Sequence, residues 1–250
     1  AAGHDAGVNY VVHRARHIPG HHTLAAGPGI GRAIADLALT RRARQVARRA
    51  RNNGRPFDLV HAHNYEGALV GAVVAASEKI PMLYHAHNLM GDELETYFSR
   101  RPVRAAARVL GMALDRTVPR LGDRCLSVSR NAQSRLVSLT GGRPISYQPP
   151  AVRYGAPSAD PIASDVLYAG NMDGYQGLEL LDSVLCELPK LKCSVVSTSA
   201  WTGRAQVDWY RDTGFEYLKR HLEGARVAVL PRVVGSGFPV KLINYLCAGL

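Results

Sequence analysis

The amino-acid sequence predicts an α/β protein with two doubly wound domains, each built on a parallel sheet, that face a cleft. Short apolar segments of strand length alternate with longer segments of helical periodicity along the 250 residues. This order is typical of parallel sheets with right-handed crossover helices. A proline-rich stretch interrupts the alternation once, after which it starts again, and this indicates two domains.

The first half of the chain contains five predicted strands and five predicted helices. The helix over residues 30–51 has an apolar stripe opposite its arginines and ends at Asn52-Asn53-Gly54. The helix over residues 66–78 is rich in small residues and suited to close packing on a sheet. The predicted strands span residues 7–12, 57–61, 81–85, 124–128 and 144–147, and the remaining helices span residues 91–97, 103–121 and 131–139.

The proline-rich stretch covers residues 148–164, which contain four prolines and no apolar block. Such a composition is typical of a domain linker. We therefore expect an N-terminal domain over residues 1–150, a linker over 151–164 and a C-terminal domain over 165–250. The second domain has predicted strands at residues 165–169, 192–197 and 227–230, and predicted helices at residues 175–187, 215–222 and 240–248.

Both ends of the sequence are expected to be cut. The chain begins just before a strand and ends within a helix-to-strand turn, Ala248-Gly249-Leu250. We therefore expect the first strand of the N-terminal domain and the end of the C-terminal domain to be missing. A piece that lacks these parts is predicted to be inactive.

The net charge of +11 is concentrated in two arginine-rich segments, residues 32–51 and 100–108. Basic surfaces bind nucleic acids, anionic lipid headgroups or phosphorylated ligands, and arginine can also simply solvate a helix face. No helix-turn-helix, zinc-finger or RNA-binding motif accompanies the charge. We therefore expect a membrane surface or a phosphate-bearing ligand and no nucleic acid. The four cysteines form no C-x-x-C pair and indicate buried thiols in a reducing cytoplasm.

Two pairs of histidines follow neighbouring predicted strands, His61 with His63 and His85 with His87. Alternation along a strand puts the members of each pair on one side. Three interpretations are open: a metal site, a hydrogen-bonding group or general base in a sugar or phosphate cleft, and histidines that only cap strand ends. A metal site would also need ligands after later strands, and the sequence offers none there.

Two glycine-bearing loops lead from strands into helices in the second half. One follows the strand at residues 165–169 and runs from Gly170 to Gly177, and the other precedes Lys241. Glycines let the backbone approach a ligand, and the free N–H groups of a helix start suit a phosphate. Ligands of open α/β sheets bind at such loops, beyond the carboxyl ends of the strands.

Five segments, in the same order, resemble motifs of glycosyltransferase family 4, the group 1 glycosyltransferases. They are FDLVHAHN, PMLYHAHNL, CLSVSRNAQSRLV, VLYAGNMDGYQGLELL and VLPRVVGSGFPVKLINYLCAGL. The resemblance implies the GT-B architecture of two Rossmann-like domains, with a nucleotide-diphosphate sugar held mainly by the C-terminal one. It also implies metal-independent transfer that retains the configuration of the anomeric carbon.

The resemblance also assigns site residues. His87 matches the histidine that lies near the transferred sugar in the family and is the predicted catalytic residue. The predicted donor-binding residues are Gly170, Asn171, Gln176, Arg232, Ser236, Gly237, Phe238, Lys241 and Asn244. The predicted residues on the acceptor side of the cleft are His61, His63, His85 and Asn88. No metal ligand is predicted.

Four of these positions depart from the family pattern. Asn171 and Gln176 stand where many members carry an Arg and a Lys that hold the diphosphate, and Ser236 and Asn244 stand where many carry two glutamates. Because the leaving nucleotide needs positive or N–H partners, we expect Lys241 and Arg232 to supply the missing charge.

The predicted function is transfer of a hexose from a nucleotide-diphosphate sugar to a glycan or lipid-linked acceptor, in synthesis of cell-envelope polysaccharide or glycolipid. The nucleotide sugar is a substrate, and no cofactor is expected. We expect a cytoplasmic location with peripheral contact to the inner face of an anionic membrane. A non-catalytic homologue that acts as a binding subunit and a metal-dependent hydrolase that uses the four histidines stay open as alternatives.

Overall fold

A computed structural model of the chain describes residues 2–3, 10–15, 30–173, 176–232 and 238–250. The chain divides into two compact units, Ala1–Pro149 and Pro150–Leu250. Each unit has its own four-stranded sheet, and neighbouring strands in both sheets are parallel. The prediction of two parallel-sheet α/β domains is therefore confirmed.

The sheet of the first unit has the strands β3 (Val60–His63), β4 (Met82–Ala86), β5 (Arg124–Ser127) and β6 (Ser146–Tyr147). Their order in the sheet is β3-β4-β5-β6, so each strand lies beside its neighbour in sequence. The helices of this unit are α1 (Ile30–Asn52), α2 (Asn64–Glu78), α3 (Met90–Glu93), α4 (Arg101–Thr117) and α5 (Arg130–Leu139). Short 3-10 helices over Leu94–Tyr97 and Val118–Arg120 follow α3 and α4.

Two strand predictions in this unit need correction. The strand expected over residues 57–61 begins only at Val60, because pairing with β4 starts there: the Val60 N–H donates to the Pro81 carbonyl at 2.9 Å. Of the strand expected over residues 7–12, residues 7–9 lie outside the described residues. Farther along, β2 (Val12–His13) pairs antiparallel with β1 (Ala2–Gly3) instead of joining the parallel sheet.

The core of the first unit lies between α2 and the sheet. Tyr84 and Ala68 are fully buried there. The small residues of α2 let it approach the sheet closely, as predicted. A Cβ added at Gly71 would lie 2.9 Å from both the Ala62 Cβ and the Met82 Sδ.

The strands of the second unit are β7 (Ser164–Ala169), β8 (Cys193–Ser197), β9 (Asp208–Arg211) and β10 (Ala225–Ala228), and its helices are α6 (Leu178–Glu187), α7 (Phe215–Gly224) and α8 (Val240–Cys247). Its sheet has the order β10-β7-β8-β9. The second and third strands of this unit, β8 and β9, lie on one side of its first strand, β7. The fourth strand, β10, lies on the other side of β7, so the order of the strands reverses between β7 and β10.

Strand β9 is missing from the sequence-based prediction. Its four residues, Asp-Trp-Tyr-Arg, are half charged and mostly exposed at the edge of the sheet, so they lack the apolar run that marks the inner strands. The N–H and carbonyl groups of β8 hold it in parallel register, from Ser194 opposite Asp208 to Ser197 opposite Arg211. Pairing with β8, and not the local sequence pattern, therefore makes residues 208–211 a strand.

None of the helices in the described part of the chain combines the length and the apolar character that a membrane crossing requires.

The close approach of α2 to the sheet gives a direct test of the packing. Gly71→Ala should lower the free energy of unfolding by about 1–3 kcal/mol, because the added methyl group overpacks a closed contact with Ala62. Gly67→Ala in the same helix is the matched control. Its Cβ would meet its nearest neighbour at 3.8 Å, so it should gain helix propensity and raise stability by up to about 1 kcal/mol. Urea unfolding followed by circular dichroism measures both, and equal effects would contradict the packing described.

Candidate functional site

Four histidine rings gather on one face of the sheet in the first unit. Parallel pairing sets His63 opposite His85, and the buried residues Ala62, Tyr84 and Ala86 alternate with the histidines on the other face. The centroids of the His61 and His63 rings are 4.2 Å apart, and those of His63 and His85 are 5.1 Å apart. His61 and His63 therefore share a side of their strand, as the sequence predicts.

His87 completes this cluster just beyond the end of β4. Its Nε2 lies 2.9 Å from the Nδ1 of His63, a hydrogen bond in which one of the two rings carries the proton. Its ring centroid is 4.9 Å from that of His85. The predicted catalytic histidine and its predicted neighbours thus lie in direct contact within one unit.

The cluster favours neutral imidazoles. Burial, reinforced by the charges that the other three rings would carry, lowers the pKa of His85 to about 4. Burial first, and neighbouring histidines second, also lower the pKa of His63 and of His87. Because neutral imidazole has one acceptor nitrogen, these rings can accept a hydrogen bond or bind a cation at neutral pH.

A buried carboxyl group holds the segment that follows His87. Asp115 of α4 is fully buried, and its two oxygens accept hydrogen bonds from the Met90 and Gly91 N–H groups at 2.9 Å. The Tyr65 hydroxyl donates to the same carboxyl group. Burial raises the pKa of Asp115 against the opposing effect of these hydrogen bonds. Tyr65 lies two residues after His63, so this network ties the ends of β3 and β4 together.

Asn88, a predicted acceptor-side residue, points into the same segment. Its side-chain amide donates to the Glu93 carboxylate, and its backbone carbonyl oxygen lies 3.4 Å from the Tyr65 hydroxyl oxygen. The sequence-based prediction did not include Asp115 or Tyr65. The only signal for Asp115 is an acidic residue inside an otherwise basic helix.

The second candidate site lies where the sheet of the second unit reverses its strand order. The loop after β7 begins at Gly170, and the segment after β10 contains Pro231 and Arg232. Strands β7 and β10 are neighbours, so these two segments leave the sheet side by side. In open α/β sheets this switch point is where ligands bind.

Gly177, at the end of the loop after β7, packs directly against the segment after β10. Its φ of 72° is left-handed, and a Cβ at this position would lie 2.3 Å from the Pro231 carbonyl oxygen. Glycine is therefore required both by conformation and by space. Because Gly177 caps α6, that helix begins at Leu178, three residues later than the sequence predicts.

Lys241 reaches from α8 into the loop after β7. Its Nζ donates to the Gln176 Oε1 at 2.9 Å and to the Tyr168 hydroxyl at 3.2 Å, and it lies 4.5 Å from the centre of the Tyr168 ring. A Cβ at Gly170 would be 2.6 Å from the same nitrogen. The ammonium group thus lies directly against the loop backbone.

Burial, reinforced by the charge of Arg232 and opposed by that of Asp173, lowers the pKa of Lys241 to about 8. The Gln176 amide in turn donates to the Asn171 Oδ1 at 2.5 Å, and the Tyr168 hydroxyl donates to the Asn171 carbonyl at 2.6 Å. The predicted residues Asn171, Gln176 and Lys241 therefore form one network. Tyr168, which is fully buried, belongs to it and was missed because it reads as an ordinary strand residue.

The remaining predicted donor residues are placed less completely. Asn244 is on α8 one turn beyond Lys241, and Phe238 lies just before that helix; both are half-buried. Ser236 and Gly237 lie outside the described residues.

A family model described as Glycosyltransferase Family 4 matches residues 3–153. The chain belongs to glycosyltransferase family 4. A search of curated proteins found no match. The family assignment agrees with the histidine-bearing strands and with the resemblance drawn from the sequence.

Solved structures of glycosyltransferases share the fold of this family 4 chain. Sucrose-phosphate synthase from Thermosynechococcus elongatus superposes with a TM-score of 0.67 at 14% identity, over 91% of this chain and 62% of that one. HepE from Anabaena in complex with UDP and glucose gives 0.62 at 13% identity, over 88% and 63%. The catalytic domain of starch synthase IV from Arabidopsis thaliana, bound to ADP and acarbose, gives 0.53 at 9% identity, over 84% and 59%.

These likenesses establish the GT-B fold class. The chain spans less than two thirds of the length of each of these three structures.

The hydrogen bond between Tyr65 and the buried Asp115 carboxyl group can be tested through its contribution to stability. Tyr65→Phe should lower the free energy of unfolding by about 1–3 kcal/mol, because it removes a hydrogen bond to a buried carboxyl group. Tyr154→Phe is the control, since the Tyr154 hydroxyl is buried without a hydrogen-bond partner among the described residues. It should leave stability unchanged or slightly higher. Urea unfolding at pH 7 compares the two, and a larger loss for Tyr154→Phe would refute this account.

Proposed function

We propose that this family 4 chain is part of a glycosyltransferase that moves a hexose from a nucleotide-diphosphate sugar to a glycan or lipid-linked acceptor. The observation that carries the proposal is the Lys241 ammonium group at the switch point of the second unit. It lies against the Gly170 backbone and has two neutral hydrogen-bond partners, Gln176 and Tyr168. A desolvated cation beside a glycine loop is suited to a diphosphate.

A positive charge on α8 takes the place of one that many family members carry in the loop after β7, and this supports activity of the site. Where many family members carry a lysine, this chain has Gln176, and the Gln176 side chain is hydrogen-bonded to the Lys241 ammonium group. The positive charge is thus supplied from α8 instead of from the loop after β7. Arg232 is close enough to influence the pKa of Lys241 and is the second proposed diphosphate contact.

Nucleotide complexes of structural relatives support the donor class. HepE from Anabaena has been solved with UDP-glucose, and starch synthase IV with ADP. We propose that Gly170, Asn171, Gln176, Arg232, Ser236, Gly237, Phe238, Lys241 and Asn244 line the donor site. Transfer that retains the anomeric configuration and needs no metal ion follows from the family resemblance and belongs to the same proposal.

On the acceptor side we propose that His87 contacts the transferred sugar or the acceptor, with His61, His63, His85 and Asn88 around it. Burial, with the charge of His61 second, lowers the pKa of His87, which favours the neutral ring. Its Nε2 is bonded to His63, so Nδ1 is left to donate or to accept a hydrogen bond. Its contact with His63 fixes its orientation. This arrangement suits recognition of sugar hydroxyl groups, which are themselves both donors and acceptors.

A cytoplasmic location with peripheral membrane contact, for synthesis of cell-envelope polysaccharide or glycolipid, completes the proposal. Helix α4 supports it, because Val109 and Leu110 are 68% and 57% exposed on a helix that also exposes Arg104 and Arg108. Exposed apolar groups beside cations favour an anionic lipid surface. Cosedimentation with vesicles that contain phosphatidylglycerol tests this contact, which the variant Arg104→Gln/Arg108→Gln should weaken.

Donor binding is tested by thermal-shift measurements with UDP-, GDP- and ADP-sugars. One of these donors, at 100 times its dissociation constant, should stabilise the protein by about 2.7 kcal/mol. Lys241→Ala should weaken that binding by about 1.5–3 kcal/mol, or roughly 10- to 150-fold. Lys190→Ala, which removes an exposed lysine of the same unit, is the control and should bind normally. Equal affinities for the two variants would refute the assigned diphosphate contact.

Transfer itself is measured with radiolabelled nucleotide sugars and the full-length gene product. Incorporation of label separates an enzyme from a non-catalytic binding subunit, and the product's anomeric configuration tests retention. Donor binding without any incorporation would favour the binding subunit.

Donor affinity should also fall as pH rises through about 8. With a pKa of about 8, Lys241 is about nine tenths protonated at pH 7 and about one tenth at pH 9, so affinity should drop by up to about tenfold. The donor diphosphate stays ionised over this range. Lys241→Arg keeps its charge at both pH values and should remove the dependence. Calorimetry at pH 7 and pH 9 measures the donor affinity of both proteins. If the affinity of Lys241→Arg fell by the same factor as that of the unsubstituted protein, the pH dependence would not come from Lys241.

A further inference from the structure

The histidine cluster of the first unit has the composition and spacing of a metal-ligand set. His61, His63 and His85 each offer a ring nitrogen, and these nitrogens all lie within 4.8 Å of one another. The three residues come from two adjacent parallel strands, with His63 directly opposite His85. We propose that these three histidines bind one divalent transition-metal ion of the zinc class. This proposal does not depend on the transferase function.

The chemistry of the ligands selects the class of ion. Three imidazoles suit zinc, copper, nickel and cobalt, whereas magnesium and calcium prefer oxygen ligands. Three histidines leave a fourth tetrahedral position for water or an oxygen ligand. Because the imidazoles are neutral ligands, the bound ion would keep its full charge of +2.

The distances are compatible with coordination after small side-chain rotations. Zinc–nitrogen bonds of about 2.0–2.1 Å in a tetrahedral site place neighbouring ligand nitrogens roughly 3.3 Å apart. The observed upper limit of 4.8 Å therefore requires the rings to close by about 1.5 Å at most. His61 and His63 are exposed, so their rings can shift by this amount without displacing the buried residues on the other face of the sheet.

His85 provides an independent observation that points to a ligand. Both of its ring nitrogens are shielded from solvent and have no hydrogen-bond partner in the part of the chain that the structure describes. Buried polar groups are normally paired, and an unpaired one costs free energy. An ion bound between the two strands would satisfy one of these nitrogens.

His87 would orient the site from outside the ligand set. A metal-binding histidine usually has its second ring nitrogen held by a hydrogen bond. If His63 binds through Nε2, its Nδ1 keeps the 2.9 Å contact with His87 Nε2. The cluster then contains three ligands and one histidine that fixes the ring of another.

The sequence alone predicts no metal ligand, because a metal site was expected to need further ligands at the ends of later strands. The structure makes them unnecessary, because two neighbouring strands in parallel register supply three convergent nitrogens.

The test is titration of chelator-treated full chain with Zn²⁺, in the absence of nucleotide and sugar, with bound metal measured after equilibrium dialysis. We expect one tight site per chain. His61→Ala and His85→Ala should each weaken binding by at least about 100-fold, more than the loss of an outer hydrogen bond causes. Circular dichroism verifies that each variant is folded. His61 is exposed, so His61→Ala stays informative even if His85→Ala fails to fold.

The control variant is His17→Ala/His21→Ala/His22→Ala, which removes a histidine-rich segment outside the described residues. It should retain the tight site. Co²⁺ substitution provides a second readout, since four-coordinate Co²⁺ absorbs visible light strongly and six-coordinate Co²⁺ weakly. Loss of the tight site in the control variant, or unchanged binding in His61→Ala, would overturn the proposal. Failure of donor binding would leave this result unaffected, so the two proposals are tested separately.

Discussion

Parallel pairing of strands is the constraint on which both candidate sites depend. Parallel strands end at the same edge of a sheet, so residues that are distant in sequence meet there. In the first unit this brings His63 beside His85 across 22 positions of sequence. In the second it brings the loop after β7 beside the segment after β10. Neither arrangement needs a long-range hydrogen bond between the site residues to create it.

The alternation of apolar segments is sufficient to predict the two parallel sheets and most of the helices. Helix α1 matches the predicted bounds to within one residue, because it is filled mostly with alanine and arginine, which favour helix. The edge strand β9 could not be predicted this way, since its pattern carries little hydrophobic signal and β8 holds it in place. The start of β3 likewise depends on its partner strand.

The histidines and Lys241 could be proposed from the sequence, but the buried residues that support the two sites could not. Asp115, Tyr65 and Tyr168 act through burial and hydrogen bonds that only the fold creates. A buried aspartate in a basic helix is unremarkable in sequence until the Met90 and Gly91 N–H groups are found beside it. The sequence also suggested that Lys241 could replace a charge lost at Gln176, and the hydrogen bond between the two residues gives that substitution a physical basis.

The fit of Gly177 against the Pro231 carbonyl oxygen has a consequence for engineering ligand preference at this candidate site. With no room for even one methyl group between them, any side chain introduced at position 177 requires the segment after β10 to move. A library that varies position 177 therefore has to vary the segment that contains Pro231 jointly, and a library that varies only the rest of the loop has to keep the glycine.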